Sequence, residues 1–77
     1  MADNLQASIT ANDSGQIIQH AHALRGAAAN LSLPTLYDIT DEIEALAKQG
    51  QSCAGLLKPL DEIITALENA IAELANL

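Results

Sequence analysis

Aromatic side chains are almost missing from this chain of 77 residues: Tyr37 stands alone, with no Trp and no Phe. A core must then be built from aliphatics, and the abundant Ala, Leu and Ile suit helices far better than sheets. No strands are expected. Positive charge is nearly as scarce, with Arg25, Lys48 and Lys58 set against ten acidic residues for a formal net charge of -7. There is no basic stripe with interleaved aromatics, so nucleic acid is not an expected partner. The single cysteine, Cys53, allows no internal disulfide and has no metal-ligand spacing with the two histidines. A reducing compartment fits. Long apolar runs are missing too, so neither a signal peptide nor a membrane span is expected, and the expectation is a cytoplasmic polypeptide with no membrane contact by this segment. The length leaves room for one small domain, residues 1–77, which by size scaling buries only roughly 60% of its unfolded surface.

What is present is helical periodicity. Ile17, Ala21, Leu24, Ala28 and Leu31 recur at three- and four-residue spacing, as do Leu36, Ile39, Ile43 and Leu46, and then Leu57, Leu60, Ile64, Leu67, Ile71 and Leu74. Ahead of them DNLQASITAN carries Leu5 and Ile9 at i and i+4, with Asp3 as a candidate N-cap and Gln6 three residues later. That first helix, about ten residues, is too short to stand on propensity and must be held by packing. Asp13 and Gln16 form a second capping-box-like pair that opens the second helix. Ser32, ahead of Leu33 and Pro34, is a candidate cap for the third, and Gly50 after Lys48 is a C-terminal stop. Pro59 either starts the fourth helix or kinks one that begins near Ser52; Leu56 and Leu57 continue the apolar stripe upstream, which favours the kink. Four helices with short connections imply an all-α, antiparallel up-down-up-down four-helix bundle with a short first helix.

The stretch QHAHALRGAAANLSL holds both histidines, His20 and His22, two residues apart. At 100° per residue, His20 falls roughly 60° from the apolar direction of its helix and His22 roughly 140° from it. His22 therefore faces water, while His20 sits at the stripe's edge as a half-buried packing residue. Ile18 one turn before, Gly26 one turn after and Ala29 beyond share the outer face with His22, and Arg25 stands beside it. An exposed imidazole with one cation and small or apolar neighbours is a clearing that another protein can approach. Glycine inside a helix costs about 0.5–1 kcal/mol relative to alanine, so close approach is a reason for Gly26 to be there. On geometry alone, a surface histidine near a glycine is more often a solvated helix face than a site.

AHALRGAAANLSL, followed by LYDITDEIEALAKQG, resembles the histidine-containing phosphotransfer (HPt) domain of multistep two-component phosphorelays, whose signature is close to A-H-x-L-K-G-x-x-x-x-x-G. His22 falls on the phospho-accepting histidine, Leu24 on the core leucine, Arg25 on the basic residue and Gly26 on the glycine. The resemblance continues through Leu36, Ile43, Glu44 and Gly50. Arg25 replaces the commoner lysine, which keeps the charge and changes the hydrogen-bonding fork, and Ser32 stands where the motif ends in glycine. The resemblance implies a phosphocarrier without autonomous kinase activity, in which His22 accepts a phosphoryl group from a receiver-domain aspartate and passes it to another receiver. Implied partners are response-regulator receiver domains and a hybrid sensor histidine kinase. No cofactor is expected on this chain, because the receiver supplies the Mg²⁺. Within that scheme Arg25 offsets part of the added charge and Gly26 leaves room. Glu44 occupies a position that often carries a polar side chain near the histidine, where it would orient the ring. Ile18 and Ala29 would give apolar contact for receiver docking.

Other readings fit less of the sequence. In a sensor-kinase dimerisation helix the histidine is typically followed by an acidic residue, a basic residue and a proline, not by Ala23, Leu24, Arg25 and Gly26. An acyl carrier protein matches the length, acidity and helix content. Its attachment serine has no counterpart, since Asp13-Ser14-Gly15 comes too early and Pro34-Thr35-Leu36 lacks a serine. A structural or interaction module without chemistry is the remaining alternative. No nucleophile-base pair or ligand cluster with suitable spacing points to a hydrolytic or metal enzyme.

Overall fold

Asn12, Ser32 and Gly50 adopt left-handed backbone, with φ of 55°, 56° and 72°, and each ends a helix. The computed structural model, which describes residues 3–76, holds α1 (Asp3–Thr10), α2 (Ser14–Asn30), α3 (Pro34–Lys48) and α4 (Leu57–Ala75), with one 3₁₀ turn over Ala54–Leu56 ahead of α4. After each left-handed residue the next amide reaches back to close the helix: Asp13 N–H donates to the Ser8 carbonyl (3.1 Å), Leu33 to Ala28 (2.9 Å) and Gln51 to Leu46 (2.9 Å). The connections after α1 and α2 are short enough to force antiparallel neighbours, and the four helices form the expected bundle. The described residues include no strand.

Three boundary expectations are corrected. Asp3 lies inside the first turn of α1 rather than ahead of it, where its charge meets the helix's positive end. Ser32 does not cap α3, because its left-handed conformation closes α2; α3 starts from Leu33 with no side-chain cap, and Pro34 in the opening turn has no N–H in need of one. That conformation also accounts for the glycine with which the motif usually ends here. Pro59 does not kink a longer helix: α4 begins at Leu57 and holds Pro59 in its first turn, where no intrahelical hydrogen bond is lost. Leu56 and Leu57 still reach the core, since the 3₁₀ turn delivers them to it. Asp13 and Gly50 act as expected. The Asp13 carboxylate accepts from the Gln16 N–H at 3.2 Å, and Gly50 supplies the left-handed stop of α3.

Leu5, Ile9, Ile17, Ile43, Leu60 and Ile64 lie at the centre of an aliphatic core. Ser8 and Thr40 are buried with it and satisfied from the preceding turn, Ser8 Oγ donating to the Asn4 carbonyl (2.7 Å) and Thr40 Oγ1 to that of Leu36 (2.8 Å). Cys53 Sγ donates to the Ile43 carbonyl (3.4 Å) and anchors the segment leading into α4; burial pushes its thiol pKa up. Leu67, midway along α4, lines a common cleft with Leu33 and Pro34 at the start of α3, so α4 runs antiparallel to α3. Its last two turns project about 10 Å beyond the α2–α3 turn, and the molecule is 44 Å long against 22 and 16 Å across. The apolar stripes therefore outrun the core: Leu31, Ile71 and Leu74, in register with buried positions, are exposed.

Candidate functional site

The helix α2 buries Ile17, Ala21 and Ala28 and turns His22 to the opposite side, where its side chain is 68% exposed. Gly26 and Ala29 lie exposed on the same face, and Ile18 is half-buried against the core. A Cβ built on Gly26 meets nothing within 4 Å, so the space beside His22 is open and no packing demand explains the glycine. His20 is half-buried at the α1–α2 groove, as its angle implied.

Glu44, on α3, is the residue that turns an exposed histidine into a built arrangement. It is only 4% exposed. Its Oε2 lies 3.3 Å from His22 Nδ1 and 3.2 Å from Lys48 Nζ, and its Oε1 lies 3.1 Å from Arg25 Nη2. Burial pushes the Glu44 carboxyl pKa up, but the Lys48 hydrogen bond and the charges of Arg25, Lys48 and His22 outweigh it and hold the group below its ordinary value. Glu44 is thus a buried anion beside the imidazole, kept ionised by its neighbours.

Arg25 ties the two helices together on this face. Its Nη1 donates to Asp41 Oδ1 at 3.2 Å, its guanidinium carbon stands 5.8 Å from the centroid of the Tyr37 ring, and its Nη2 lies 3.0 Å from His22 Nδ1. The two contacts at Nδ1 demand opposite tautomers. A hydrogen bond from Arg25 requires a bare Nδ1, whereas one to Glu44 requires Nδ1–H. Only the second leaves the lone pair on Nε2, across the ring from both helices.

A family model described as Hpt domain matches residues 1–77, the whole chain. The chain belongs to the Hpt domain family. Hpt domains are helical bundles that carry phosphoryl groups on histidine in phosphorelays and are phosphocarriers rather than kinases; they interact with receiver domains and histidine kinases. Searches of curated proteins and of solved structures find no match. Membership of the Hpt family leaves the acyl-carrier reading without support. Among the described residues no helix is long and apolar enough to cross a membrane.

Within this Hpt domain the structure brings His22, Arg25, Gly26 and Glu44 onto one face, with Ala29 beside them and Ile18 at its margin. It adds three residues that the sequence reading did not single out, Lys48, Asp41 and Tyr37. Their signal is helical spacing: Lys48 stands four residues after Glu44 and Asp41 three before it, which places both on the Glu44 side of α3.

Proposed function

We propose that this Hpt domain is a phosphorelay intermediate that accepts a phosphoryl group on Nε2 of His22 from the aspartyl phosphate of one response-regulator receiver and passes it to another. The observation that carries the reading is the pairing of an exposed imidazole with a buried carboxylate at Nδ1. With the Nδ1 proton turned to Glu44, 3.3 Å away, instead of Nδ1 accepting from Arg25 Nη2, Nε2 is left as the nucleophile. In the forward step the acyl O–P bond of the receiver breaks, the Nε2–P bond forms, and the aspartate departs as a carboxylate. The Nδ1 proton stays between the ring and Glu44, whose charge stabilises the imidazolium character that the attack creates. Arg25 and Lys48 are the cations within reach of the transferred group.

This chain supplies positioning and the receiver supplies the rest. The Mg²⁺ and most of the charge stabilisation at the phosphoryl group belong to the receiver's site, and no cofactor is assigned to this domain. Gly26 leaves the approach open. Docking of the receiver uses the outer face of α2 and α3, where Ala29, Leu33, Pro34 and Tyr37 line a shallow, mostly apolar groove about two to three turns from His22, with Ile18 at the other end of the face. A hybrid sensor kinase fits as the source of the donor receiver, and a cytoplasmic setting fits such partners.

The test is incubation of the full chain with a panel of phosphorylated receivers, followed by phosphate mapping. The expected result is acid-labile, base-stable label on His22, absent from His22→Gln while that variant keeps its helicity and melts within about 0.5 kcal/mol of the original. Label on His20, or label that survives in His22→Gln, refutes the reading.

A further inference from the structure

Arg25 is placed to do more than carry charge beside the histidine. Its guanidinium is held from three sides: Nη1 donates to Asp41 Oδ1 at 3.2 Å, the Tyr37 ring centroid lies 5.8 Å from the guanidinium carbon, and Nη2 lies 3.1 Å from Glu44 Oε1. Held in this way, Nη2 meets His22 Nδ1 at 3.0 Å, closer than the 3.3 Å that separates Nδ1 from Glu44 Oε2. Nη2 carries two hydrogens, enough for both the carboxylate and the ring, and it has no lone pair to accept one. The bond to the ring therefore exists only while Nδ1 is bare. The single proton of the neutral imidazole is then on Nε2, the nitrogen that must attack.

Glu44 does not need the ring proton in this arrangement, because Arg25 serves its Oε1 and Lys48, at 3.2 Å, its Oε2. The free domain thus favours the unreactive Nε2–H form. An incoming phosphoryl group gives Arg25 a reason to leave, since a charge-assisted hydrogen bond to a phosphoryl oxygen is stronger than one to a neutral ring nitrogen. As Arg25 turns away, solvent takes the Nε2 proton and another proton enters at Nδ1, facing Glu44. The ring stays neutral throughout, and the Nε2 lone pair is uncovered at the moment the phosphoryl group is there to meet it.

We infer, resting on the phosphoryl-accepting role proposed for His22, that Arg25 is a latch on the tautomer of that histidine and that Asp41 is the positioning residue that sets it. Asp41 is the outer of the two carboxylates on Arg25, its side chain 59% exposed against 6% for Glu44. By holding Nη1, it leaves only Nη2 to be shared between Glu44 and the ring. Without a carboxylate at position 41, Nη1 is free to join Nη2 on Glu44 as a two-pronged pair, the stronger geometry between a guanidinium and a carboxylate, and Nδ1 is released. Removing Asp41 therefore raises the share of the Nδ1–H form and speeds phosphoryl acceptance, the reverse of what loss of a purely structural ion pair does.

Long-range proton–nitrogen NMR spectra of the full chain at about pH 8, above the ordinary imidazole pKa, read the tautomer of His22 with no partner present. The original protein should carry the ring proton on Nε2 as the major form. The Nδ1–H share should rise at least twofold in Asp41→Ala and in Arg25→Ala. It should stay as in the original in Asp41→Glu, which keeps a carboxylate, and in Glu42→Ala, which removes an equal charge at the neighbouring exposed position. In rapid-quench transfer from a phosphorylated receiver at saturating concentration, Asp41→Ala should accept phosphate at least twofold faster, because the reactive fraction scales the observed rate. A major Nδ1–H form in the original protein, an unmoved tautomer in Asp41→Ala, an equal shift in Glu42→Ala, or unchanged or slower acceptance by Asp41→Ala overturns the inference. Expected spectra with no receiver able to label His22 refute the phosphorelay reading and the latch together, whereas label on His22 with unmoved spectra refutes the latch alone.

Discussion

Glu44 offers the sharpest perturbation because its proposed roles pull two measurements in opposite directions. Glu44→Gln keeps the size and a carbonyl acceptor for Nδ1–H while removing the charge; Glu44→Ala removes both. A hydrogen bond to an ionised group is roughly twice as strong as a neutral one, and at a ring 68% exposed the charge-assisted bond is worth about 1–1.5 kcal/mol rather than the larger buried value. Losing half of it slows phosphoryl acceptance about two- to threefold in the Gln variant, and losing all of it slows acceptance about five- to tenfold in the Ala variant. The equilibrium moves the other way. A buried carboxylate close to a phosphoryl group repels it by about 1–2 kcal/mol for a partly solvated pair, and it also holds Arg25 and Lys48 at its own oxygens. Either substitution should therefore raise the ratio of phosphorylated to free domain at equilibrium with a receiver, by about five- to thirtyfold. Rapid-quench transfer from a radiolabelled receiver reads the rate, and the end-point partition reads the equilibrium. If both variants transfer and partition like the original protein, Glu44 does not act on His22, and if rate and partition fall together it acts only by holding the helix face in shape.

Four further outcomes follow from the same geometry. Gly26→Gln should stabilise the fold by about 0.5–1 kcal/mol through helix propensity, because nothing stands within 4 Å of its Cβ; transfer should slow, and thermal melts with transfer kinetics check both. Arg25→Lys keeps the charge but cannot bridge Asp41 and Glu44 at once, so it should cost about 0.5–1 kcal/mol of stability in urea melts and leave the phosphate partition near that of the original, whereas Arg25→Gln should lower the phosphorylated fraction by up to about fivefold. Ser32→Gly should relieve a left-handed residue at φ 56° and raise stability by about 1 kcal/mol, roughly 4–8 °C in Tm. Because the folded Glu44 carboxyl titrates below its ordinary value of 4.5, its contribution to stability is fully present above that pH and is lost as pH falls through the folded value; melts between pH 6 and 3 should show a shallower acid loss for Glu44→Gln.

The helices were legible because apolar spacing and turn chemistry agree along most of the chain. The errors fall where one residue had two possible uses. Ser32 has the right side chain for a cap, but α2 needed a left-handed residue at that position. Leu31, Ile71 and Leu74 fit their stripes by period, yet a stripe shows which way a side chain points and not whether another helix reaches it. Tyr37, the lone aromatic, carried no periodic signal, and its place under Arg25 depends on the pairing of two helices rather than on either alone.

That pairing could have been derived from the chain itself. In an antiparallel hairpin of two helices with the same rise per residue, positions equidistant from the turn lie level with each other. With the turn centred at Leu33, His22 and Glu44 are each eleven residues away, Arg25 and Asp41 eight, and Ala29 and Tyr37 four. The first two pairs are contacts in the structure, at 3.3 and 3.2 Å, and Ala29 and Tyr37 line the same groove. Lys48 reaches Glu44 from one turn further along α3. The turn therefore does more than join α2 to α3. Its length sets which carboxylate stands opposite the histidine, so the left-handed Ser32 and the Pro34 start act on the His22–Glu44 pair from the turn, about eleven residues from either. A residue inserted between Ser32 and Leu33 would shift α3 by about 1.5 Å and 100° relative to α2, turning Glu44 away from His22 while leaving each helix intact.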